Sequence, residues 1–246
     1  MSYNLTIDRG NTAIKTAIWD GKRLIDELTL RHDAETCRRI RKFIAGYDIS
    51  GAIGCSVDKT HINWLRPLVS EQCHTVIELG PDTRVPITNG YATPSSLGAD
   101  RLAAAVGAYD MFPGQELLVC DLGTACTYDI VSAEGRFIGG NIAPGAGMRL
   151  RALHHYTCRL PEVPSRGTVM DFGTDTHTAM RSGAFQGIAA EVLYHRTLGA
   201  KSPRTTILTG GWSEEVMKLL TGTDGLYMNK HLVIQGLNSI LLYNEI

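Results

Sequence analysis

The first apolar run of the chain, Leu5-Thr6-Ile7, is β-rich and breaks at Asp8-Arg9-Gly10-Asn11-Thr12. A second run, Ala13 to Trp19, follows directly, and Asp20-Gly21 has the residue types of a type I′ hairpin turn, so antiparallel strands are predicted here. Asp33 is placed to cap a helix through Ala45, with Gly46 as its stop. Strand-like Ala52-Ile53 and Thr75 to Ile77 flank a helical stretch near Ile62 to Val69. A loop rich in Pro, Gly and Thr, from Pro81 to Ser96, leads into Gly98-Ala99-Asp100-Arg101, and the alanine-rich Leu102 to Ala108 behind it is strongly helix-forming.

At Leu117 the pattern restarts. Leu117-Leu118-Val119-Cys120 ends in Asp121-Leu122-Gly123-Thr124, alternating Tyr128 to Val131 follows, and a turn at Glu134-Gly135 opens a third strand through Phe137-Ile138. The aspartate precedes the turn glycine by 13 residues in the first passage (Asp8 to Gly21) and by 14 in the second (Asp121 to Gly135). A strand, Asp-x-Gly-[Asn/Thr], strand, turn, strand unit is therefore duplicated, with its two copies 113 residues apart. Further helices are expected from Gly145 into Leu153, from Thr176 to Leu198 behind a cap at Asp175, from Ser213 to Leu220 and around Ile234 to Leu242, with a strand at Thr205 to Leu208 ending in Thr209-Gly210-Gly211. Two similar α/β halves, 1–113 and 114–246, divided near Pro113-Gly114, are expected to face each other across a cleft.

Composition narrows the function classes. Of the 246 residues 43% are apolar and 20% charged, which fits a folded chain with a real core rather than a disordered one. The net charge of −1 gives no basic face for nucleic acid. The six cysteines form no C-x-x-C pair, Asp8 and Arg9 interrupt the first apolar run before it could serve as a secretion signal, and no run approaches a membrane span. A reducing, aqueous compartment, the cytoplasm, is expected. The adjacent His154-His155 has no carboxylate or cysteine partners at ligand spacing and reads as a solvated helix.

One Asp-x-Gly-[Asn/Thr] is equally well a strand ending in a tight turn; two copies, each closing an apolar strand and opening a hairpin, are far more specific. Glycine lets a turn approach a phosphate with its N–H groups as donors, and Asn11, Thr12 and Thr124 add short neutral donors. Asp8 and Asp121 suit a hard cation, directly or through water. Lys15, two side-chain periods beyond Asn11, can reach a phosphate or stand as a solvated hairpin lysine. Asp100-Arg101 is also compatible with an ordinary helix start carrying an exposed charge pair.

The paired hairpins resemble those of the acetate-kinase, sugar-kinase and actin superfamily, built of duplicated ribonuclease-H-like domains around a nucleotide cleft. Several segments together resemble one member family, the type III pantothenate kinases: Asp8 to Thr12, Tyr91 to Arg101, Gly139-Gly140-Asn141-Ile142-Ala143-Pro144-Gly145, Asp175-Thr176 with Ala179 to Gly183, and Leu208 to Gly211. The resemblance spans nearly the whole chain, and Gly98-Ala99-Asp100-Arg101 is its most specific element.

It implies ATP-dependent phosphorylation of pantothenate to 4′-phosphopantothenate, the first step of coenzyme A biosynthesis. Asp100 would accept the proton of the attacking hydroxyl, late in a transfer governed mainly by positioning and electrostatics. Arg101 would hold the pantothenate carboxylate through a bidentate guanidinium contact, with Tyr91, Gly98, Ala99 and Thr176 lining the substrate pocket. The segment Asp8, Arg9, Gly10, Asn11, Thr12, Ala13, Ile14 and Lys15 would bind ATP with Mg²⁺, joined by Thr124 and, on the adenosine side, Gly210 and Gly211. Asp121 would be the ligand of a monovalent cation, K⁺ or NH₄⁺, and a homodimer whose interface helps to form the pantothenate pocket is implied. Arg9, where a small or apolar residue is expected, and Asp175, where an asparagine is expected, depart from the pattern.

Two other readings compete. A sugar, acetate or polyphosphate phosphotransferase of the same superfamily is one, although larger sugar kinases carry insertions for which 246 residues leave little room. A nucleotide-binding regulatory protein without turnover is the other; the presence of Asp8, Asp100, Arg101 and Asp121 together argues against it.

Overall fold

The computed structural model describes residues 2–56, 64–69 and 73–245. β1 (Tyr3–Arg9) and β2 (Ala13–Asp20) form the expected antiparallel hairpin, and β2 pairs in turn with β3 (Arg23–Arg31). Gly21 takes the left-handed conformation, φ 56°, that the tight turn between β2 and β3 demands. α1 (Thr36–Ile44) begins later than expected: Glu35 holds the N-cap position, while Asp33 accepts the Glu35 N–H and pairs with Arg39 ahead of the helix. β4 (Ile49–Ser56) and β5 (Thr75–Glu78) add in parallel, giving the order β3-β2-β1-β4-β5.

The helix expected near Ile62 to Val69 falls partly outside the described residues. Its remainder is one 3₁₀ turn, Arg66–Leu68, in which Pro67 lacks the N–H that a longer helix would use. The long loop after Leu79 holds a two-residue strand, β6 (Thr88–Asn89), and then α2 (Ala99–Met111).

The second passage repeats the first in three dimensions. β7 (Leu117–Leu122) and β8 (Ala125–Val131) form an antiparallel hairpin, followed by β9 (Arg136–Pro144), α3 (Ala146–His155) and α4 (Thr176–Thr197). β10 (Thr205–Thr209), α5 (Ser213–Leu219) and β11 (Leu226–Met228) complete it. The strand order β9-β8-β7-β10-β11, with β10 and β11 parallel to β7, repeats β3-β2-β1-β4-β5, and β6 is added beyond β9 as a sixth strand. The duplication seen in the Asp-x-Gly spacing is therefore a duplication of topology. Asp175 caps α4 as expected, its side chain accepting the Thr178 N–H while the Thr178 hydroxyl closes the capping box.

The division at residue 114 needs correction. Two compact units do separate there, but the first takes Met1–Gly114 together with Ser132–Ile138 and His231–Ile246, and the second Gln115–Val131 with Gly139–Lys230. The C-terminal helix, α6 (Leu232–Asn244), thus belongs to the first unit. Its apolar residues Leu232, Val233, Ile234, Leu237, Ile240 and Leu241 are all buried, so it needs cover on several sides. Glycines permit a close approach to α2: a Cβ on Gly236 would land on the Ala103 carbonyl, and one on Gly107 would lie 2.5 Å from the Leu232 carbonyl. The core of the first unit gathers Leu5, Ile7, Ile18, Ile40 and Leu65; that of the second gathers Leu118, Tyr128, Phe185, Ile188 and Leu208.

Candidate active site

In the first unit the candidate residues converge on the C-terminal end of β1. Asp8 lies opposite Lys15 of β2 on one side and in register with Cys55 of β4 on the other. Its side chain is half-buried, and this loss of solvent pushes its pKa from the usual 3.8 up to about 6. The negative charge of Asp100 adds to the rise, while Lys15 and the hydrogen bond from Cys55 pull it part of the way back. Cys55 Sγ lies 3.4 Å from Asp8 Oδ1, and burial beside two carboxylates holds its thiol well above the ordinary thiol range, so it is protonated and donates.

The hairpin turn differs in one respect from the expectation. The Gly10 N–H donates to the Ala13 carbonyl (3.1 Å), and in the second unit the Gly123 N–H donates to the Ala125 carbonyl (3.0 Å). Both glycine donors expected for phosphate thus close their own hairpins, which leaves the exposed Asn11, Thr12 and Thr124 as the outward-facing polar residues. The Gly10 carbonyl is held by His32 Nε2 at 2.7 Å. Ile14 packs its side chain into the core, so only its backbone faces the turn, and Ala13 and Arg9 are partly buried beside it. Asn11 lies in the turn rather than in a strand, so it is the register with Asp8, not spacing from Asn11, that places Lys15 at this site.

α2 carries the other half of the first-unit site. Gly98 is its N-cap in extended conformation, and a Cβ there would lie 2.5 Å from Asp100 Oδ1. Glycine therefore lets the Asp100 carboxylate fold back over the helix start, where it accepts the Arg101 N–H at 2.9 Å. Ala99 opens the helix. Arg101 is buried, 7% exposed, rather than solvated, and its guanidinium lies over two aromatic rings, 5.6 Å from the Tyr91 centroid and 5.8 Å from that of Phe137. The two rings meet edge to face at 6.0 Å. Phe137 was not singled out in the sequence; β6 pairing with Thr88↔Arg136 and Asn89↔Phe137 brings it to Tyr91.

The second unit holds the remaining candidates. Asp121 is the last residue but one of β7, and its oxygen is met by any Cβ added at Gly210, whose φ of 89° also favours glycine. The Gly210 carbonyl accepts from the Ser213 hydroxyl (2.9 Å) and N–H (3.3 Å), while Gly211 faces open space. Gly145, at the start of α3, donates its N–H to the Thr124 carbonyl (3.1 Å) and has no room for a side chain against Gly123 and Thr124. It explains the close of the Gly139 to Gly145 segment, to which the sequence alone gives no role. Thr176 is exposed at the first position of α4. Among the described residues no group of three or more His, Cys, Asp or Glu side chains forms a metal cluster, and no helix is long and apolar enough to cross a membrane.

Comparisons with known proteins bear on the family and the fold. A family model described as type III pantothenate kinase matches residues 4–196. The type III pantothenate kinase of Bacteroides fragilis is 38% identical over 244 residues, covering 98% of each chain. Among solved structures, a Campylobacter jejuni protein described as a Baf family transcriptional activator superposes with a TM-score of 0.63 at 23% identity over 98% of both chains. The ROK hexokinase of Thermus thermophilus superposes with a TM-score of 0.54 at 14% identity, covering 99% of this chain and 100% of its own, a likeness of fold in the actin and sugar-kinase class.

Proposed function

We propose how this chain, which belongs to the type III pantothenate kinase family and is an ATP-dependent kinase phosphorylating pantothenate in coenzyme A biosynthesis, carries out its reaction. The observation that carries the proposal is the buried Arg101 guanidinium over Tyr91 and Phe137, with Asp100 folded over the same helix start and its charge felt at Asp8.

Arg101 anchors the pantothenate carboxylate; the two rings hold its fork in one orientation, so little side-chain entropy is lost on binding. Tyr91 lines this anchor with Gly98 and Ala99, and the exposed Thr176 hydroxyl supplies a further contact. Asp100 accepts the proton of the attacking hydroxyl as the phosphoryl group transfers. Lys15, Asn11, Thr12 and Thr124 hold the ATP phosphates, and the open backbone at Gly211 beside Gly210 takes the adenosine.

Mg²⁺, when bound with the triphosphate, supplies neutralisation of its charge. Asp8 fits that group: its oxygens are hard donors, and a cation nearby favours the ionised form that burial disfavours. Asp121 fits a monovalent cation, K⁺ or NH₄⁺. It pairs across the β7–β8 ladder with Thr127, whose buried hydroxyl has no hydrogen-bond partner among the described residues, so a carboxylate and an unsatisfied oxygen share one face.

Exposed apolar side chains on the second unit, Ile142, Tyr156, Phe172 and Tyr194, support a homodimer. The six free cysteines support a cytoplasmic setting.

Two substitutions separate the roles. Asp100→Asn is expected to lower kcat by about 10² or more with pantothenate binding largely kept. Arg101→Ala is expected to raise the KM for pantothenate, a loss of about 2–3 kcal/mol, with ATP binding unchanged. Near wild-type turnover in Asp100→Asn, or equal weakening of both substrates in Arg101→Ala, would move these roles elsewhere.

A further inference from the structure

Cys55 has no part in the roles above, yet it is the buried side chain that touches Asp8. It stands near the end of β4, 2% exposed, and is the register partner of Asp8 where β4 runs parallel to β1. Its Sγ lies 3.4 Å from Asp8 Oδ1, a normal separation for a thiol donating to a carboxylate. The end of β4 cannot drift from β1. A Cβ at the preceding Gly54 would lie 2.7 Å from the Trp64 ring and 3.2 Å from the Ile7 carbonyl, so this glycine lets ring and strand close together.

The strand order β2-β1-β4 therefore brackets Asp8 between a cation and a thiol, with Lys15 opposite it on one strand and Cys55 on the other. Lys15 sits on a flexible four-carbon stem and supplies positive charge beside the carboxyl. The thiol has one short stem on a rigid strand, so its contact selects one rotamer of the carboxylate.

We propose that Cys55 is a positioning residue for phosphoryl transfer: its thiol donates to Asp8 Oδ1 and turns the carboxylate so that Oδ2 is presented to the divalent cation of the nucleotide. This rests on the reading of Asp8 as the carboxylate on the nucleotide side. Serine in place of Cys55 would keep a donor at nearly the same point, whereas alanine would remove it and leave Asp8 free to rotate.

The test uses the full chain. Binding of Mn²⁺ with a non-hydrolysable ATP analogue is measured by calorimetry, alongside steady-state kinetics, for wild type, Cys55→Ser, Cys55→Ala, Asp8→Asn and the double variant. Cys55→Ala is expected to weaken metal–nucleotide binding and lower kcat, each by about tenfold, the scale of one hydrogen bond to a charged group. The KM for pantothenate should stay unchanged. Cys55→Ser should recover both quantities to within about twofold, and adding Cys55→Ala to Asp8→Asn should cost nothing more. Should Cys55→Ala not fold, Cys55→Val removes the donor at similar volume and is compared with Cys55→Ser in the same way. Wild-type binding and kcat in the donor-free variant would overturn the inference, as would a serine variant as impaired as alanine. If Asp8→Asn itself binds and turns over like wild type, it is the reading of Asp8 that fails. If Asp8→Asn is impaired and the Cys55 variants are not, only the role of Cys55 falls.

Discussion

Replacing Asp8 by Asn should stabilise the ligand-free protein at neutral pH while damaging its activity. The carboxyl has a pKa of about 6 in the folded protein against 3.8 for an ordinary aspartate, chiefly because partial burial takes solvent from it and next because Asp100 is near. A raised value means that the folded state holds this proton more tightly than the unfolded chain does. Well below its unfolded pKa of 3.8 both states are protonated and Asp8 costs nothing. As pH rises from there the unfolded chain ionises first, stability falls, and the full cost is reached once the folded carboxyl also ionises above about pH 6. At about 1.36 kcal/mol per pH unit, the interval from 3.8 to about 6 amounts to at most about 3 kcal/mol held against folding. Asparagine has the same shape and no charge to bury, so Asp8→Asn is free of this cost. The assay is denaturant unfolding in EDTA without nucleotide, at about pH 4.5, 6 and 8. The variant should gain up to about 3 kcal/mol over wild type at the highest pH and about 1 kcal/mol at the lowest. Equal stability at about pH 8, or a gap that widens toward acid, would refute the reasoning.

Two further outcomes are expected. If Asp121 and the Thr127 hydroxyl hold a monovalent cation, kinase rates should be higher in K⁺ or NH₄⁺ than in Na⁺ at matched ionic strength, and Asp121→Asn should erase the difference; equal wild-type rates in all three salts would remove the cation from the account. Gly236→Ala should force α6 away from the Ala103 carbonyl of α2 and cost about 1–3 kcal/mol by overpacking, so a thermal midpoint like that of wild type would contradict the close seam between these helices.

Much of the fold was legible because its signals are local. Apolar alternation, turn glycines and the repeated Asp-x-Gly spacing each act within one strand or hairpin, and both hairpins, α4 with its Asp175 cap, and the strand at Thr205 followed that pattern. The actin and sugar-kinase fold was implied by the resemblance of the paired hairpins, and the superposition on a ROK hexokinase agrees with it. What stayed hidden depends on contacts distant in sequence. Nothing local links Asp8 with Cys55, 47 residues on, and only the parallel register of β1 and β4 joins them. Phe137 reads as an ordinary strand residue until β6 brings Tyr91 to it. The return of α6 to the first unit was not legible from its apolar sequence, because that predicts burial without saying against what; the glycine notches at Gly107 and Gly236 decide the partner. That the Gly10 and Gly123 N–H groups close their own hairpins was likewise not legible before the turns were seen.

The measurement that bears most directly on the central claim is ADP release from ATP and Mg²⁺ across a panel of acceptors, with pantothenate, sugars and acetate side by side and the phosphorylated product identified by mass. On the proposed reading, Arg101, lying over Tyr91 and Phe137 beside Asp100, anchors a carboxylate-bearing alcohol. Turnover should therefore appear with pantothenate, yield 4′-phosphopantothenate, and collapse in Asp100→Asn. Turnover with a sugar or with acetate and none with pantothenate would contradict the account.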